Sequence, residues 1–379
     1  MTLQGKTVFI SGGSRGIGLA IAIRAARDGA NVALIAKTTE PHPRLEGTIH
    51  TAAQAIEDAG GSALPIVGDI REEEQVLAAV AQAVERFGGI DVCVNNASAI
   101  NLAGTEALEM KRYDLMQDIN TRGTFVVSKA CIPHLRRAAN PHILTLSPPI
   151  SLEERWLGPH IGYTLAKYGM TLCALGFAAE FREDGIASNA LWPRTLVATA
   201  AVKNLLGGDE AMARARTPDI YADAAHAVVN RPSRECTGNA LLCEDVLVEE
   251  GITDLSGYSA AGADAELAVD LFVDSGDPPS LAGSPSPPMA LIVRGGWRKP
   301  RSPTWCLSSL RQTASRMIRS SSGSLAPSRS GVRRSVSLIE NRHVRSRPSA
   351  VRRTRLQSAQ NGSDTGLMNP IRPLLSAKR

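Results

Sequence analysis

Nowhere in the sequence does an apolar run approach the roughly 18 residues that a membrane-spanning helix needs. The chain opens Met1-Thr2-Leu3-Gln4-Gly5-Lys6 and passes directly into a strand-like run, so no secretory leader is expected. Cysteine is sparse. The six (Cys93, Cys131, Cys173, Cys236, Cys243 and Cys306) are scattered without a C-x-x-C pair, so they read as free, mostly buried thiols in a reducing compartment. The cytoplasm is therefore the expected location, and no metal site is expected. The 7 histidines show no ligand spacing, and none is assigned to catalysis. No internal repeat recurs at solenoid periods. Aromatic residues make up only 4% of the 379, yet the hydrophobic share of 43% suits a globular protein with a real core.

Charge is unevenly placed. Residues 274–379 hold 19 Lys+Arg against 4 Asp+Glu, whereas the first 273 residues hold 23 basic and 33 acidic side chains. The net +5 therefore belongs to the C-terminal third. That segment is rich in Ser, Arg and Pro, with clusters such as Ser320-Ser321-Ser322-Gly323-Ser324 and no sustained periodicity. Such a composition buries too little apolar area to offset chain entropy, so 274–379 is predicted to be a disordered basic tail. It is either a basic arm for nucleic acid or acidic membranes, or a non-selected extension of the kind that out-of-frame reading of a GC-rich gene yields. The second reading is favoured, with no nucleic acid or membrane partner expected.

Residues 1–273 alternate short apolar runs with helical patterns, the mark of βαβ units and a parallel sheet. Strands are expected at 7–10, 31–36, 63–67, 90–94, 142–146, 186–191 and 239–243, with a short edge element at Leu271-Phe272-Val273. Long helical segments are expected up to about Leu135 and from about residue 160 to Phe181. The predicted fold is α/β, a Rossmann-like doubly wound parallel seven-stranded sheet with helices on both faces.

Three patterns carry chemistry. Tyr163-Thr164-Leu165-Ala166-Lys167 puts a phenol and an ammonium one helical turn apart. A cation held there favours the phenolate, drawing the tyrosine down from about 10 toward a range useful for proton transfer. Ser11-Gly12-Gly13-Ser14-Arg15-Gly16-Ile17-Gly18 follows a strand and opens a helix. Gly12, Gly16 and Gly18 permit a tight turn against a pyrophosphate, and the helix start around Ser14, Arg15 and Ile17 supplies free N–H groups. After the second strand, where an NAD site usually has an acidic residue, the sequence reads Ala36-Lys37-Thr38. Lys37 with Arg15 would neutralise a 2′-phosphate, favouring NADP, with NAD the alternative.

In this order the motifs resemble those of the classical short-chain dehydrogenase/reductase family, over about residues 3–245. The matches are Gly12/Gly16/Gly18, Asp69, Asn95-Asn96-Ala97, Asn120, Ser147 and Tyr163/Lys167. Ser147-Pro148-Pro149, the Tyr163–Met170 run and Ala190-Leu191-Trp192-Pro193 look like the subgroup named for hydroxysteroid dehydrogenase-like protein 2. Its mammalian members carry a sterol-carrier-like domain that nothing in 274–379 resembles. The resemblance implies that Tyr163 is the acid/base, that Lys167 lowers its pKa and bonds the nicotinamide ribose, and that Ser147 steadies the substrate oxygen. It implies that Asn120 holds a water linking Lys167 to solvent, that Asp69 meets the adenine, and that Asn95 and Ala97 meet its ribose. Pro193 through Leu196 would lie against the nicotinamide. Ser151 competes with Ser147 for the serine role. Departures from the family pattern are Ser11 for threonine, Ser98 for glycine, and Arg194 for the glycine after the proline. Trp156 and Trp192 are candidates for the pocket wall or for core packing, and 209–216 for a cover over substrate.

The expected function is hydride transfer between NADP and an alcohol or carbonyl of a moderately apolar substrate. Homodimers or homotetramers are expected through helices near 114–138 and 160–182. Against this stand a non-catalytic nucleotide-binding module on the same fold and a tail-mediated nucleic-acid-associated protein.

Overall fold

Alternation along each strand builds the molecule. In the computed structural model, which describes residues 2–41 and 46–273, Val8 and Ile10 point to one face of the sheet and Phe9 to the other. Val32 and Leu34 oppose Ala33 and Ile35 in the same way, as Leu144 does Ile143. Side chains that alternate in direction but are apolar on both faces require a sheet covered on both sides. Each large aliphatic residue so buried contributes about 1.5–3 kcal/mol.

The strands are β1 (Thr7–Ser11), β2 (Asn31–Ala36), β3 (Ser62–Val67), β4 (Val92–Asn95), β5 (His142–Leu146), β6 (Ala187–Trp192) and β7 (Ala240–Leu242). Their order is β3-β2-β1-β4-β5-β6-β7, and all neighbours run parallel. Helices Gly16–Ala26, Ile49–Asp58, Asp219–Asn230 and Cys243–Glu249 pack on one face. Helices Glu73–Phe87, Gly123–Leu135 and Ile161–Glu180 pack on the other. This is the doubly wound sheet expected from the sequence. The chain reverses its winding between β1 and β4, where Ser11 pairs with Asn95, and a crevice opens at the carboxyl ends of those strands.

Three details differ from expectation. The long helix ending at Leu135 is composite: Met110–Met116 passes through a π-helical stretch, Gln117–Arg122, into Gly123–Leu135. Helices Asp219–Asn230 and Cys243–Glu249 were not read from the sequence, and the second begins immediately after β7 and shortens it. Leu271-Phe272-Val273 joins no strand; Phe272 and Val273 are buried among the side chains around Tyr163. The expectations for 274–379 lie outside the described residues.

Candidate active site

The floor of the crevice is the turn after β1. Gly12 has φ +75°, and a Cβ there would stand 2.9 Å from the Ala97 Cα, so only glycine lets the two loops touch. Gly16 also lies at positive φ (+55°), but a Cβ there would meet only the Thr199 methyl, at 3.7 Å. The space between this turn and the loop after β6 is therefore open, beside the first N–H groups of helix Gly16–Ala26. Ser14 and Gly18 are buried beneath it, and Arg15 and Ile17 stand at its rim.

Asn96, which carried no separate role in the sequence reading, clamps the turn. Its Nδ2 donates to the carbonyls of Ser11 (3.1 Å) and Gly12 (2.8 Å). The Ser11 hydroxyl accepts from the backbone of Asn96 and Ala97, so serine performs the tying that a threonine would. Asn95 is buried, with Nδ2 donating to Ser128 Oγ and Thr145 Oγ1. These bonds fix Ala97 against Gly12, where the two loops cradle one edge of the open space. Glycine turn, helix start and cradle together suit a nicotinamide dinucleotide.

At the end of β2 the charges are already paired. Lys37 Nζ lies 3.1 Å from Asp69 Oδ2, and Arg71 bonds the same carboxylate at 2.6 Å. These bonds, Arg71's foremost, hold Asp69 well below the usual carboxylate range. The Lys37 side chain keeps 55% of its surface exposed, so it is free to leave Asp69 for another anion. Arg15 lies on the glycine turn and bonds the carbonyls of Glu46 and Gly47.

Tyr163 and Lys167 lie on helix Ile161–Glu180, Ser147 directly follows β5, and Asn120 lies in the π-helical stretch. Helix Ile161–Glu180 aims Tyr163 and Lys167 at the end of β5 because residues four apart share a face. Lys167 Nζ donates to the Leu146 carbonyl at 2.8 Å, and Thr171 of the same helix donates to the Pro148 carbonyl at 2.7 Å. These bonds hold the turn that carries Ser147. Ser147 is fully buried and its Oγ has no hydrogen-bond partner among the described residues. A buried hydroxyl left unsatisfied is costly and marks a place for a polar atom. Ser151 differs: it is only partly buried, its Oγ accepts from the Glu153 N–H, and its backbone is held by the Tyr168 hydroxyl.

Asn120 is fully buried within the π-helical stretch. Its amide exchanges two bonds with the Ala99 backbone, at 2.7 and 3.0 Å, so the side chain pins the loop after β4. π-Helical turns are rare inside α-helices and frequent at functional sites.

Burial dominates the electrostatics. It pushes the Tyr163 phenol up, with the Asp270 charge adding to the shift. It lowers the Lys167 ammonium to about 7, a fall that Asp270 opposes. Burial likewise raises the Asp270 carboxyl to about 7, and Lys167 opposes that. The sequence reading expects Lys167 to lower Tyr163; in the protein alone the shift runs the other way, because desolvation and the Asp270 charge both disfavour the phenolate.

Pro193 and Leu196 are buried in the loop after β6. Arg194 forms a two-pronged ion pair with Asp245, and its backbone N–H donates to the buried Glu244. The residue that departs from the family pattern thus anchors this loop to helix Cys243–Glu249. Helix Gly208–Ala213, which overlaps the 209–216 read as a cover, packs Ala211 against Leu196 and Val202. Trp192 and Trp156 join the cluster around Tyr163. Sequence reasoning missed Asp270, Phe272 and His160, which share this cluster or its charges. No motif announces them. Among the described residues, no group of three or more His, Cys, Asp or Glu is placed to hold a metal.

The short-chain dehydrogenase model matches residues 6–208, more than half the chain. The chain belongs to the short-chain dehydrogenase family. It is similar to hydroxysteroid dehydrogenase-like protein 2 of Danio rerio, 54% identical over 279 residues that cover 74% of this chain and 66% of that protein. The Homo sapiens protein of the same name is 51% identical over 72% of this chain and 64% of its own length. The chain thus spans somewhat under two thirds of these relatives. Among solved structures, a short-chain dehydrogenase from Mycobacterium thermoresistibile is 67% identical, with a TM-score of 0.70, covering 75% of this chain and all of that one. Membership makes the chain an oxidoreductase by family and fold. The family binds nicotinamide cofactors, which the open space beside the Gly12–Gly18 turn suits.

Proposed function

We propose that the protein is an NADP-dependent alcohol dehydrogenase or carbonyl reductase acting on a moderately apolar substrate. The observation that carries this reading is the unpartnered, buried Ser147 hydroxyl, next in the chain to the Leu146 carbonyl that Lys167 bonds. A module that merely bound nucleotide would have no use for a hydroxyl left without a partner at the end of β5. When bound, the nicotinamide supplies the hydride and, oxidised, a positive charge that favours the phenolate.

This chain's residues do the rest. Ser147 Oγ donates to the substrate oxygen, and Tyr163 passes a proton to or from it. Lys167, fixed by Leu146, holds a cation near the phenol and reaches the ribose. Asn120 holds the loop after β4 through the Ala99 backbone and, as the family resemblance implies, would hold a water linking Lys167 to solvent. Gly12, Ser14, Arg15, Gly16, Ile17, Gly18, Asp69, Asn95 and Ala97 form the adenosine and pyrophosphate side, and Pro193 and Leu196 the nicotinamide side. Lys37 turns from Asp69 to a 2′-phosphate, supporting NADP over NAD.

Association through helices Gly123–Leu135 and Ile161–Glu180 belongs to the same reading. Phe125, Leu165 and Leu172 are each about half exposed on them, and an exposed apolar patch of this kind marks a contact surface. Light scattering that gave a monomer would overturn that part. The free thiols of Cys93, Cys131, Cys173, Cys236 and Cys243 suit a reducing, cytoplasmic setting. Among the described residues no helix is long and apolar enough to cross a membrane.

The test is a melting shift with NADPH and with NADH, followed by NADPH oxidation with a panel of carbonyl compounds. Cofactor binding and turnover of at least one carbonyl is the expected result. Absence of both sinks the reading.

A further inference from the structure

Beyond helix Cys243–Glu249, outside the residues 6–208 matched by the family model, the chain returns along the loop after β6 as a strap. Leu196 N donates to the Ala268 carbonyl at 2.9 Å, and Asp270 N to the Arg194 carbonyl at 2.9 Å. Thr195 and Val269 form an antiparallel bridge between them. Ala268 N bonds the Arg214 carbonyl at 2.8 Å, and Trp192 Nε1 the Leu271 carbonyl at 2.9 Å. The strap is thus laced to the loop that carries Pro193 and Leu196.

It ends in a ring. Phe272 is 1% exposed and, among the described residues, is the non-glycine residue found at positive φ, 68°. A bulky side chain rarely adopts that backbone, and such outliers gather at ligand clamps. Its ring centroid lies 6.0 Å from Tyr163, 5.8 Å from His160, 5.3 Å from Tyr168, 5.7 Å from Trp156 and 6.3 Å from Trp192. The same cluster draws on Ile100 and Ile150, from the loops after β4 and β5, and on Leu242, the last residue of β7. That is the side from which a substrate reaches a doubly wound sheet.

We propose that Phe272 is the substrate-selecting residue of this enzyme: its fixed ring caps the approach to Tyr163, so the site takes a flexible unbranched carbonyl chain and excludes rigid fused rings. The proposal rests on the oxidoreductase reading above for the location of the reacting oxygen. A further ring inserted between Phe272 and Tyr163 needs their centroids about 7 Å apart, wider than the observed separation. A jointed chain can bend around a fixed ring; a fused four-ring skeleton cannot.

His160 gives this cluster a polar point. It is 6% exposed, and its Nε2 has no hydrogen-bond partner among the described residues. Burial lowers its pKa, so it meets a ligand as a neutral group able to bond a polar atom on the chain.

The test measures binding rather than turnover. The full-length protein saturated with NADP would be titrated calorimetrically with methyl octyl ketone and, separately, with a saturated four-ring sterane ketone. Wild type is expected to bind the linear ketone at least about ten-fold more tightly. Phe272→Ala should gain about ten-fold for the fused-ring ketone, and Phe272→Leu, a milder change read in its place if the alanine variant does not fold, should gain less. A ratio of affinities that moves less than two-fold in either folded variant overturns the proposal, as does failure of wild type to bind either ketone. Should the ratio shift as expected while wild type reduces no carbonyl, Phe272 keeps its selecting role and the oxidoreductase reading fails instead.

Discussion

Lys167 Nζ lies 4.8 Å from the centroid of the Trp192 ring while donating to the Leu146 carbonyl. The indole face offers the buried ammonium the partial compensation that a cation over an aromatic ring gains when both are shielded from water. The same indole donates its N–H to Leu271. One side chain therefore links the cation of the proposed catalytic set to the strap that carries Phe272.

Tyr163→Phe is expected to lower turnover by about 10²–10⁴-fold, the range for loss of a positioned acid/base. The ring stays, so packing against Phe272 and NADPH affinity should hardly change. Steady-state kinetics beside a cofactor titration check this. Retention of more than a tenth of wild-type kcat would remove Tyr163 from the chemistry.

Lys37→Asp should weaken NADPH far more than NADH, by about ten-fold or more, because it places a carboxylate where a 2′-phosphate must sit next to Asp69. Equal losses for both cofactors would end the NADP assignment. Fluorescence titration of the two reduced cofactors decides it.

Arg194→Gly restores the residue usual in the family and removes the two-pronged bond to Asp245. Hydrogen bonds to charged groups contribute about 1.5–3 kcal/mol. The pair is partly exposed, so solvent screening discounts this to roughly 1 kcal/mol. For a domain of this size that is a melting decrease of about 2–4 °C. Because the loop also holds the strap, cofactor affinity should fall several-fold with it. An unchanged melting temperature would show that the pair contributes nothing.

His142 gives a pH signature independent of the site. It is buried in β5 and its Nε2 bonds the Arg231 carbonyl. Burial lowers its pKa to about 4 from the unfolded value of 6.5. The unfolded chain therefore binds the extra proton between those values, and this residue's share of stability is present above pH 6.5 and lost as pH falls toward 4. The shift corresponds to about 3 kcal/mol. His142→Gln should flatten the melting-temperature profile over that window; an unaltered slope would contradict the assignment.

Much of this was legible in the sequence because it is local. Tyr163 and Lys167 are bound to meet once a helix forms, and the glycine turn follows from a strand opening directly into a helix. What was not legible depends on distant partners. Ser147 and Ser151 both follow β5, and only the folded chain shows which hydroxyl lacks a partner. The Asn120 amide bonds to Ala99 across 21 residues. Phe272 meets Tyr163 from more than a hundred residues away, inside the apolar triplet Leu271-Phe272-Val273 that resembles an ordinary edge strand. The π-helical stretch leaves no mark in composition at all. Arg194 reads as a mere departure until Asp245 stands beside it.

The lacing of residues 268–273 sets where this polypeptide can be shortened. A version stopped at Glu249 would retain all seven strands and every motif of the dehydrogenase pattern. It would nonetheless expose Trp156, Tyr168 and Trp192 to water and leave the Arg194 carbonyl without its bond. Recombinant fragments that end on Val273 preserve the roof of the crevice, and those that end earlier should behave as leaky, sticky enzymes with broadened tastes.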